Sequence, residues 1–247
     1  MITVTRDGVV LRLMLDRPAR RNALGTEAMR ALDAALTAAE RDETVKAIVL
    51  AGAPPAFCAG SDLKELGGLS IPAMCDHEAI TAAVARRIAL LSKPVVCAVE
   101  GYALGGGFIL AVSCDVVVTA ADATWRLPEV ANGWLPPWGL QSLIARVGPV
   151  RARMLVWGAE PIDGREAHRL GVADLLAPEG GALARATAYA TALAALPAEA
   201  VTSAKRFFEP LAAHDAERLD AAASRAFAQD CRGPAAAATL ARFTVKA

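Results

Sequence analysis

Two glycine-containing stretches of the sequence are candidates for a chemical site, and the first is the run Gly105, Gly106 and Gly107. It follows an apolar stretch and opens a predicted buried helix. Glycine costs about 1 kcal/mol relative to alanine inside a helix, so its use here needs a reason. A helix N-terminus leaves backbone N–H groups unpaired and carries partial positive charge, which suits an anion or a developing oxyanion. Close packing of the helix against a strand is the alternative explanation.

The second stretch is the turn Ala59, Gly60 and Ser61, which follows the apolar segment 46–52. Ligands of parallel α/β sheets bind at the carboxyl ends of the strands, and glycine lets the backbone approach a ligand closely. The two turns could therefore direct two N–H groups at one oxygen atom.

Alternating strands and helices are predicted to position these turns. Alternating residues on both sides of Asp7 and Gly8 predict a hairpin, residues 26–41 have helical apolar spacing, and 46–52 is typical of a buried strand. Downstream, helices are predicted in 78–92 and 138–170, and strands in 94–101, 115–120 and 172–176. This order predicts an α/β fold with a parallel sheet. After Pro197 the signals are only helical.

The composition favours a protein that acts on small molecules. The 247 residues carry 26 basic and 26 acidic side chains, so no excess of positive charge marks a nucleic-acid or acidic membrane surface. Five cysteines without CxxC spacing predict neither a disulfide framework nor a zinc site. The N-terminus lacks the apolar core of a signal peptide, and the longest weakly charged run, about fourteen residues, is too short for a membrane span. A cytoplasmic location is expected.

Five stretches, in this order, resemble the crotonase (enoyl-CoA hydratase/isomerase) superfamily. They are DRPARRNAL (16–24), AFCAGSDLKEL (56–66), KPVVCAVEGYALGGGFILAVSCDVVV (93–118), WRLPEV (125–130) and EPIDGREAHRLGVAD (160–174). The resemblance covers about residues 1–175 and implies a crotonase-type spiral of ββα units. It implies an acyl-CoA-binding core at 1–197 and a helical module at 198–247 that builds homotrimers or homohexamers. Coenzyme A is then part of the acyl-CoA thioester substrate, and no permanently bound cofactor or metal is expected.

The resemblance also assigns binding residues. The backbone N–H groups of Ser61 and Gly106 correspond to the donors that hold the thioester oxygen. The residues expected to border coenzyme A are Ala19, Arg20, Arg21, Ala59, Asp62, Leu63 and Lys64. Lys64 could pair with a phosphate, or it could be a solvated surface lysine. Lys246 could reach the cofactor of a neighbouring subunit.

One catalytic position departs from the family pattern. Hydratases of this family carry two glutamates, but Ile109 occupies the place of the first, and only Glu129 remains. Two carboxylates holding one water provide for hydration readily, whereas a single carboxylate more naturally moves one proton between two carbons. The sequence therefore favours isomerisation between 3-enoyl and 2-enoyl thioesters or an atypical hydration.

Glu129 is flanked by apolar neighbours, so a buried carboxyl group with a raised pKa is expected. The alternative is a carboxylate that caps a turn or pairs with Arg126.

The acyl pocket is expected to contain Ile109, His77, Trp134 and Trp138. The stretch CDHE (75–78) places Asp76, His77 and Glu78 at a helix start, where a substitute for the missing glutamate could lie. His77 is the possible second acid or base, although acidic residues at a helix N-terminus are also ordinary partners of the helix dipole. The two tryptophans offer apolar area and an N–H group, and ordinary core packing is their alternative.

The fold alone does not decide the reaction. Decarboxylation, thioester hydrolysis and a catalytically silent thioester-binding scaffold stay open.

Overall fold

A computed structural model describes residues 1–243 of the chain, which form two sheets and eleven α-helices. The strands are β1 (Ile2–Asp7), β2 (Val10–Leu15), β3 (Ala47–Gly52), β4 (Val95–Val99), β5 (Tyr102–Leu104), β6 (Val116–Ala120), β7 (Thr124–Arg126) and β8 (Leu175–Ala177). The helices are α1 (Thr26–Arg41), α2 (Leu63–Leu66), α3 (Ile71–Leu90), α4 (Gly106–Val112), α5 (Glu129–Asn132), α6 (Leu140–Trp157), α7 (Gly164–Leu170), α8 (Ala182–Ala194), α9 (Ala198–Ala213), α10 (Ala216–Asp230) and α11 (Pro234–Ala241).

The main sheet has six strands in the order β1-β2-β3-β4-β6-β8. The predicted hairpin is present: β1 runs antiparallel to β2, and the two are joined at Asp7 and Gly8. The other neighbours are parallel. Every residue of β4 is buried, as an unbroken apolar strand covered on both faces requires. The predicted α/β class is therefore confirmed.

Helices cover the main sheet because each has an apolar stripe. In α1 the stripe contains Met29, Leu32 and Leu36, which are fully buried. Helix α8 buries small alanine side chains and packs closely across β3, β4 and β6. The result is a rigid base beneath the carboxyl ends of the parallel strands.

A second sheet contains only β5 and β7, which run parallel. Strand β5 leads directly into Gly105, and β7 leads through Leu127 and Pro128 into Glu129. An isolated bridge joins Cys58, just before the glycine turn at residues 59–61, to Ala103 of β5. This small sheet therefore brings both glycine turns and Glu129 to one place.

The C-terminal part is helical, and the predicted boundary after residue 197 falls between α8 and α9. Helix α10 packs against α3 and α6, and α11 packs against α5. These helices therefore help to close a pocket of their own chain. Lys246, for which a contact with a neighbouring subunit was predicted, lies outside the described residues. Within residues 1–243, none of the helices combines the length and the apolarity that crossing a membrane requires.

Candidate active site

A pocket lies where the two glycine turns meet α3, α5 and α10. Its empty space, including the open mouth, is about 610 Å³. The predicted residues that line it are Ala59, Ser61, Leu63, Gly106, Ile109, Glu129, Trp134 and Trp138. Thus the structure brings most of the sequence-predicted site residues together.

The two glycine turns are in direct contact. A Cβ atom on Gly60 would lie 2.7 Å from the Leu104 carbonyl oxygen and 3.1 Å from the Gly106 nitrogen. Gly60 also has a φ of +86° and Gly105 a φ of +52°, which side-chain-bearing residues rarely adopt. Glycine at these positions therefore allows both the turns and their close approach.

The backbone N–H groups of Ser61 and Gly106 have no acceptor within residues 1–243. Their neighbours are paired, because Asp62 donates its N–H to the Leu24 carbonyl at 3.1 Å and Gly105 donates to the Arg126 carbonyl at 2.9 Å. Both Ser61 and Gly106 line the pocket. The two amides are therefore available to a ligand in it.

Glu129 begins α5 and is buried, with 8% of its surface exposed. Its Oε2 atom has no hydrogen-bond partner among the described residues. Burial raises the pKa of Glu129 to about 8, and the charge of Glu78 adds to the rise. Arg126 donates instead to the Gly158 carbonyl at 3.0 Å, so the alternative of an ion pair with Arg126 does not apply. Glu129 therefore carries a proton at neutral pH and faces the pocket.

The loop between α5 and α6 supplies both tryptophans, which are almost completely buried. Helix α10 holds this loop at two points. Asp230 accepts the Leu135 N–H at 3.0 Å, and Asp220 accepts the Gly139 N–H at 2.7 Å. The C-terminal helices thereby fix one wall of the pocket.

Ile109, which occupies the position of the first glutamate of the family's hydratases, lines the pocket. Its side chain is 1% exposed, and a Cβ atom on Gly139 would clash with it. The start of α4 therefore presents an apolar side chain to the pocket.

His77 is not among the residues that line the pocket, contrary to the expectation from the sequence. Its Nδ1 atom lies 2.9 Å from the Thr26 hydroxyl and 3.8 Å from a Glu65 carboxylate oxygen. The next residue, Glu78, lines the pocket in its place. The i, i+4 spacing gave no signal for this choice, because Met74, Glu78 and Ala82 form one buried row on α3 and His77, Thr81 and Ala85 form another.

Two of the residues expected at the coenzyme A end, Ala59 and Leu63, line the pocket. Ala19, Arg20, Arg21 and Lys64 are exposed and are not among the lining residues. The Arg21 carbonyl accepts the Ala59 N–H at 3.0 Å, which joins the exposed turn to the rim of the pocket. The guanidinium of Arg20 lies 3.9 Å from the Asp62 carboxylate.

Asp62 differs from its predicted neighbours because its carboxylate is already used. It accepts a hydrogen bond from Arg17 at 3.1 Å and caps α2 by accepting the Lys64 N–H at 3.2 Å. These contacts give Asp62 a structural role in shaping the rim.

The cysteines provide no alternative chemistry in this region. None of the five forms a disulfide, and the described part of the chain contains no group of three or more His, Cys, Asp or Glu side chains that could hold a metal ion. Cys231 lines the pocket, and burial raises its pKa and that of Cys58 to about 12, so both thiols stay protonated and are poor nucleophiles.

Comparison with known proteins agrees with this arrangement. The family model described as enoyl-CoA hydratase/isomerase matches residues 5–231. A relative named "Probable enoyl-CoA hydratase echA8" from Mycobacterium bovis is 36% identical over 208 residues, which are 83% of this chain and 79% of that protein. The 2,3-dehydroadipyl-CoA hydratase of Escherichia coli is 34% identical over 206 residues, covering 83% of this chain and 80% of its own.

A solved structure, an enoyl-CoA hydratase/isomerase from Mycobacterium paratuberculosis, superposes with a TM-score of 0.89 at 25% identity and covers 98% of this chain and 97% of its own. The predicted crotonase type of the fold is confirmed by this likeness. With the pocket, its glycine turns and the matched length taken together, the chain belongs to the enoyl-CoA hydratase/isomerase family.

Proposed function

We propose that this protein is an enzyme that acts on enoyl-CoA thioesters through a thioester enolate. The backbone amides of Ser61 and Gly106 bind the thioester oxygen, and Glu129 moves a proton at the α-carbon. The observation that carries the proposal is the presence, in one pocket, of two unpaired amides and a buried carboxyl group with an unpartnered oxygen.

The two amides stabilise the negative charge that develops on the thioester oxygen. Both belong to turns held by glycine and by neighbouring backbone hydrogen bonds, so their directions are set before substrate binds. Loss of one preorganised donor from such a site typically costs about 3 to 4 kcal/mol of barrier stabilisation.

Glu129 is suited to exchange a proton with carbon. Its pKa of about 8 lies close to neutral pH, so both the acid and the base form are accessible. The apolar residues around it exclude water that would compete for the proton.

Coenzyme A enters as part of the substrate. The exposed turn Ala19–Arg21 is hydrogen-bonded to Ala59 of the pocket, and the positive charges of Arg20, Arg21 and Lys64 suit the phosphates of the nucleotide. No permanently bound cofactor is needed for proton transfer next to a thioester.

Hydration of a 2-enoyl thioester is the reaction that the named relatives support, and isomerisation is the reaction that a single carboxylate supports. Crotonyl-CoA and 3-hexenoyl-CoA distinguish them when the absorbance of the conjugated thioester is followed. Hydration lowers the absorbance of the first, and isomerisation raises that of the second. No change with either substrate would leave a silent scaffold or a decarboxylase. A thioester hydrolase would also lower the absorbance of crotonyl-CoA, but it would release free coenzyme A thiol, which hydration does not.

The Glu129→Gln variant tests the assignment. We expect either activity to fall at least about 1,000-fold, because the amide cannot transfer the proton, whereas butyryl-CoA binding persists. The matched control is Glu160→Gln, at an exposed position. Turnover in Glu129→Gln comparable with that of the control would contradict the proposal.

Self-association into a homotrimer or homohexamer remains a prediction. It is supported by exposed apolar side chains on two helices that pack against each other, α6 and α9. They are Val150, Met154, Trp157, Phe207, Phe208 and Leu211. Light scattering of the purified chain at micromolar concentration tests it.

A further inference from the structure

The pocket contains a second buried glutamate, Glu78, which α3 contributes. Only 3% of its surface is exposed, and it lines the same pocket as Glu129. Oε1 accepts the Ser61 hydroxyl at 2.7 Å, and Oε2 accepts the Trp138 indole N–H at 2.7 Å. Buried carboxylates are rare unless paired, so this one has specific support from two neighbouring walls.

Glu78 and Glu129 each lie beside one of the two turns that carry the unpaired amides. Glu78 is attached through a hydrogen bond to Ser61, the residue of the first amide. Glu129 lies beside the second, because its Oε1 is 2.7 Å from where a Cβ on Gly105 would be. The charge of Glu78 also raises the pKa of Glu129, so the two carboxyl groups interact across the pocket.

We propose that Glu78 is a second catalytic residue, the base that holds and deprotonates water for addition to a 2-enoyl thioester. This inference rests on the proposed function, since it requires the enolate bound by the amides of Ser61 and Gly106. With Glu78 in this role, the site has two carboxyl groups even though Ile109 stands at the start of α4. The reaction of this pocket is then hydration.

The surroundings of the two carboxyl groups divide the roles. Burial raises the pKa of Glu78, but the hydrogen bond from Ser61, the charge of the neighbouring His77 and the hydrogen bond from Trp138 oppose this rise. Glu129 lacks such donors on Oε2, so burial dominates there. When the pair holds one proton, Glu129 carries it and Glu78 is the ion.

The reaction then balances as follows. Glu78 takes one proton from water, and the water oxygen bonds to the β-carbon of the substrate. The π electrons of the carbon–carbon double bond move to form the enolate, whose oxygen the two amides bind. The α-carbon takes the proton of Glu129, and the product carries hydrogen at the α-carbon and hydroxyl at the β-carbon. Glu78 has gained one proton and Glu129 has lost one.

A second cleft gives Glu78 a route to exchange that proton with solvent. Glu78 and Pro137 line both the pocket and this cleft, whose other polar residues are Arg86, Glu217, Asp220 and Ser224. Water in the cleft can remove the proton from Glu78 while substrate occupies the pocket.

Two measurements on Glu78→Gln test the inference. The first is hydration of crotonyl-CoA, which needs both carboxylates. The second is incorporation of solvent deuterium at the α-carbon of 3-hexenoyl-CoA, followed by mass spectrometry, which needs only Glu129 and the amides. We expect Glu78→Gln to lose hydration about 100- to 1,000-fold and to keep deuterium incorporation within about 5-fold.

The controls separate the failure of this inference from that of the proposed function. Asp76→Asn removes an exposed carboxylate from the same helix and should leave both rates unchanged. Glu129→Gln should lose both. A hydration rate of Glu78→Gln within about 3-fold of the wild-type rate would overturn the inference. An equal loss of hydration and of deuterium incorporation in this variant would also overturn it. The same holds if the wild-type protein incorporates deuterium but does not hydrate crotonyl-CoA. A wild type with neither activity would overturn the proposed function itself.

The pH profile supplies a readout that a structural role would not change. The hydration rate of the wild-type protein should fall at acid pH as Glu78 becomes protonated. The pH profile of Glu78→Gln should lack this acid limb. An unchanged acid limb in the variant would overturn the assignment of Glu78 as the base.

Discussion

Two walls of the pocket each contain a buried glutamate, but the two carboxyl groups differ in the hydrogen-bond donors around them. On the α3 wall (Met74 and Glu78), the carboxylate of Glu78 accepts hydrogen bonds from the Ser61 hydroxyl and from the Trp138 indole N–H, which other segments supply. The α5 wall (Pro128, Glu129 and Asn132) leaves one carboxylate oxygen without a partner among the described residues. Because both groups are buried, the donors decide which group keeps its charge. The comparison teaches that burial creates a reactive carboxyl group, and neighbouring donors set its role.

The largest expected effect concerns stability at the α5 wall. The pKa of Glu129 is about 8 in the folded protein, against an ordinary value of 4.5. Between these values the folded state binds more protons than the unfolded state, so this group lowers the free energy of unfolding as pH rises. Glu129→Gln should therefore gain stability over wild type progressively from pH 5 to pH 8, by about 3 to 4 kcal/mol. Urea denaturation at several pH values measures it.

Glu160→Gln is the control for that experiment, because its carboxylate is exposed. An increase in the free energy of unfolding of Glu129→Gln that is the same at pH 5 and at pH 8 would show that ionisation of Glu129 does not destabilise the folded protein.

The next effect concerns Gly105, which leaves space for the carboxyl group of Glu129. Alanine at Gly105 would place its Cβ 2.7 Å from Oε1 of Glu129 and hold an unfavourable φ of +52°. We expect hydration and deuterium incorporation both to fall about 100-fold, because the carboxyl group must move. Gly8→Ala is the matched control, with a φ of +57° and open space. Equal loss of activity in the two variants would contradict the role of close contact.

The smallest effect concerns the support of Glu78 by its donors. Trp138→Phe removes the N–H that donates to Glu78 and leaves an aromatic ring. The pKa of Glu78 should rise, so hydration should fall about 10-fold at pH 6 and less at pH 8, with deuterium incorporation unaffected. The matched control is Trp134→Phe, at a tryptophan that packs edge-on against Phe227. A similar pH dependence in both variants would contradict the account.

Much of the fold follows from local patterns. The hairpin at Asp7 and Gly8 and the amphipathic helix at 26–41 are present as predicted, because turn residues and apolar spacing act locally. The pairing of β5 with β7 was not predicted. Each strand has three residues, and their partnership depends on packing between distant segments.

The resemblance to the enoyl-CoA hydratase/isomerase family pointed to Ser61, Gly106 and Glu129, and all three line the pocket. It was not predicted on α3. Both His77 and Glu78 are buried on that long helix, so its sequence does not reveal which of the two faces the pocket. The rotation of α3 is set by its packing against α1, α9 and α10.

The central claim is that one thioester oxygen is bound by the amides of Ser61 and Gly106 beside Glu129. A crystal structure with butyryl-CoA, which has no double bond to hydrate, tests it most directly. We predict that the thioester oxygen lies about 3 Å from both nitrogen atoms, with the α-carbon facing Glu129. A thioester bound with its oxygen away from these amides, or amides turned towards protein acceptors, would contradict the account.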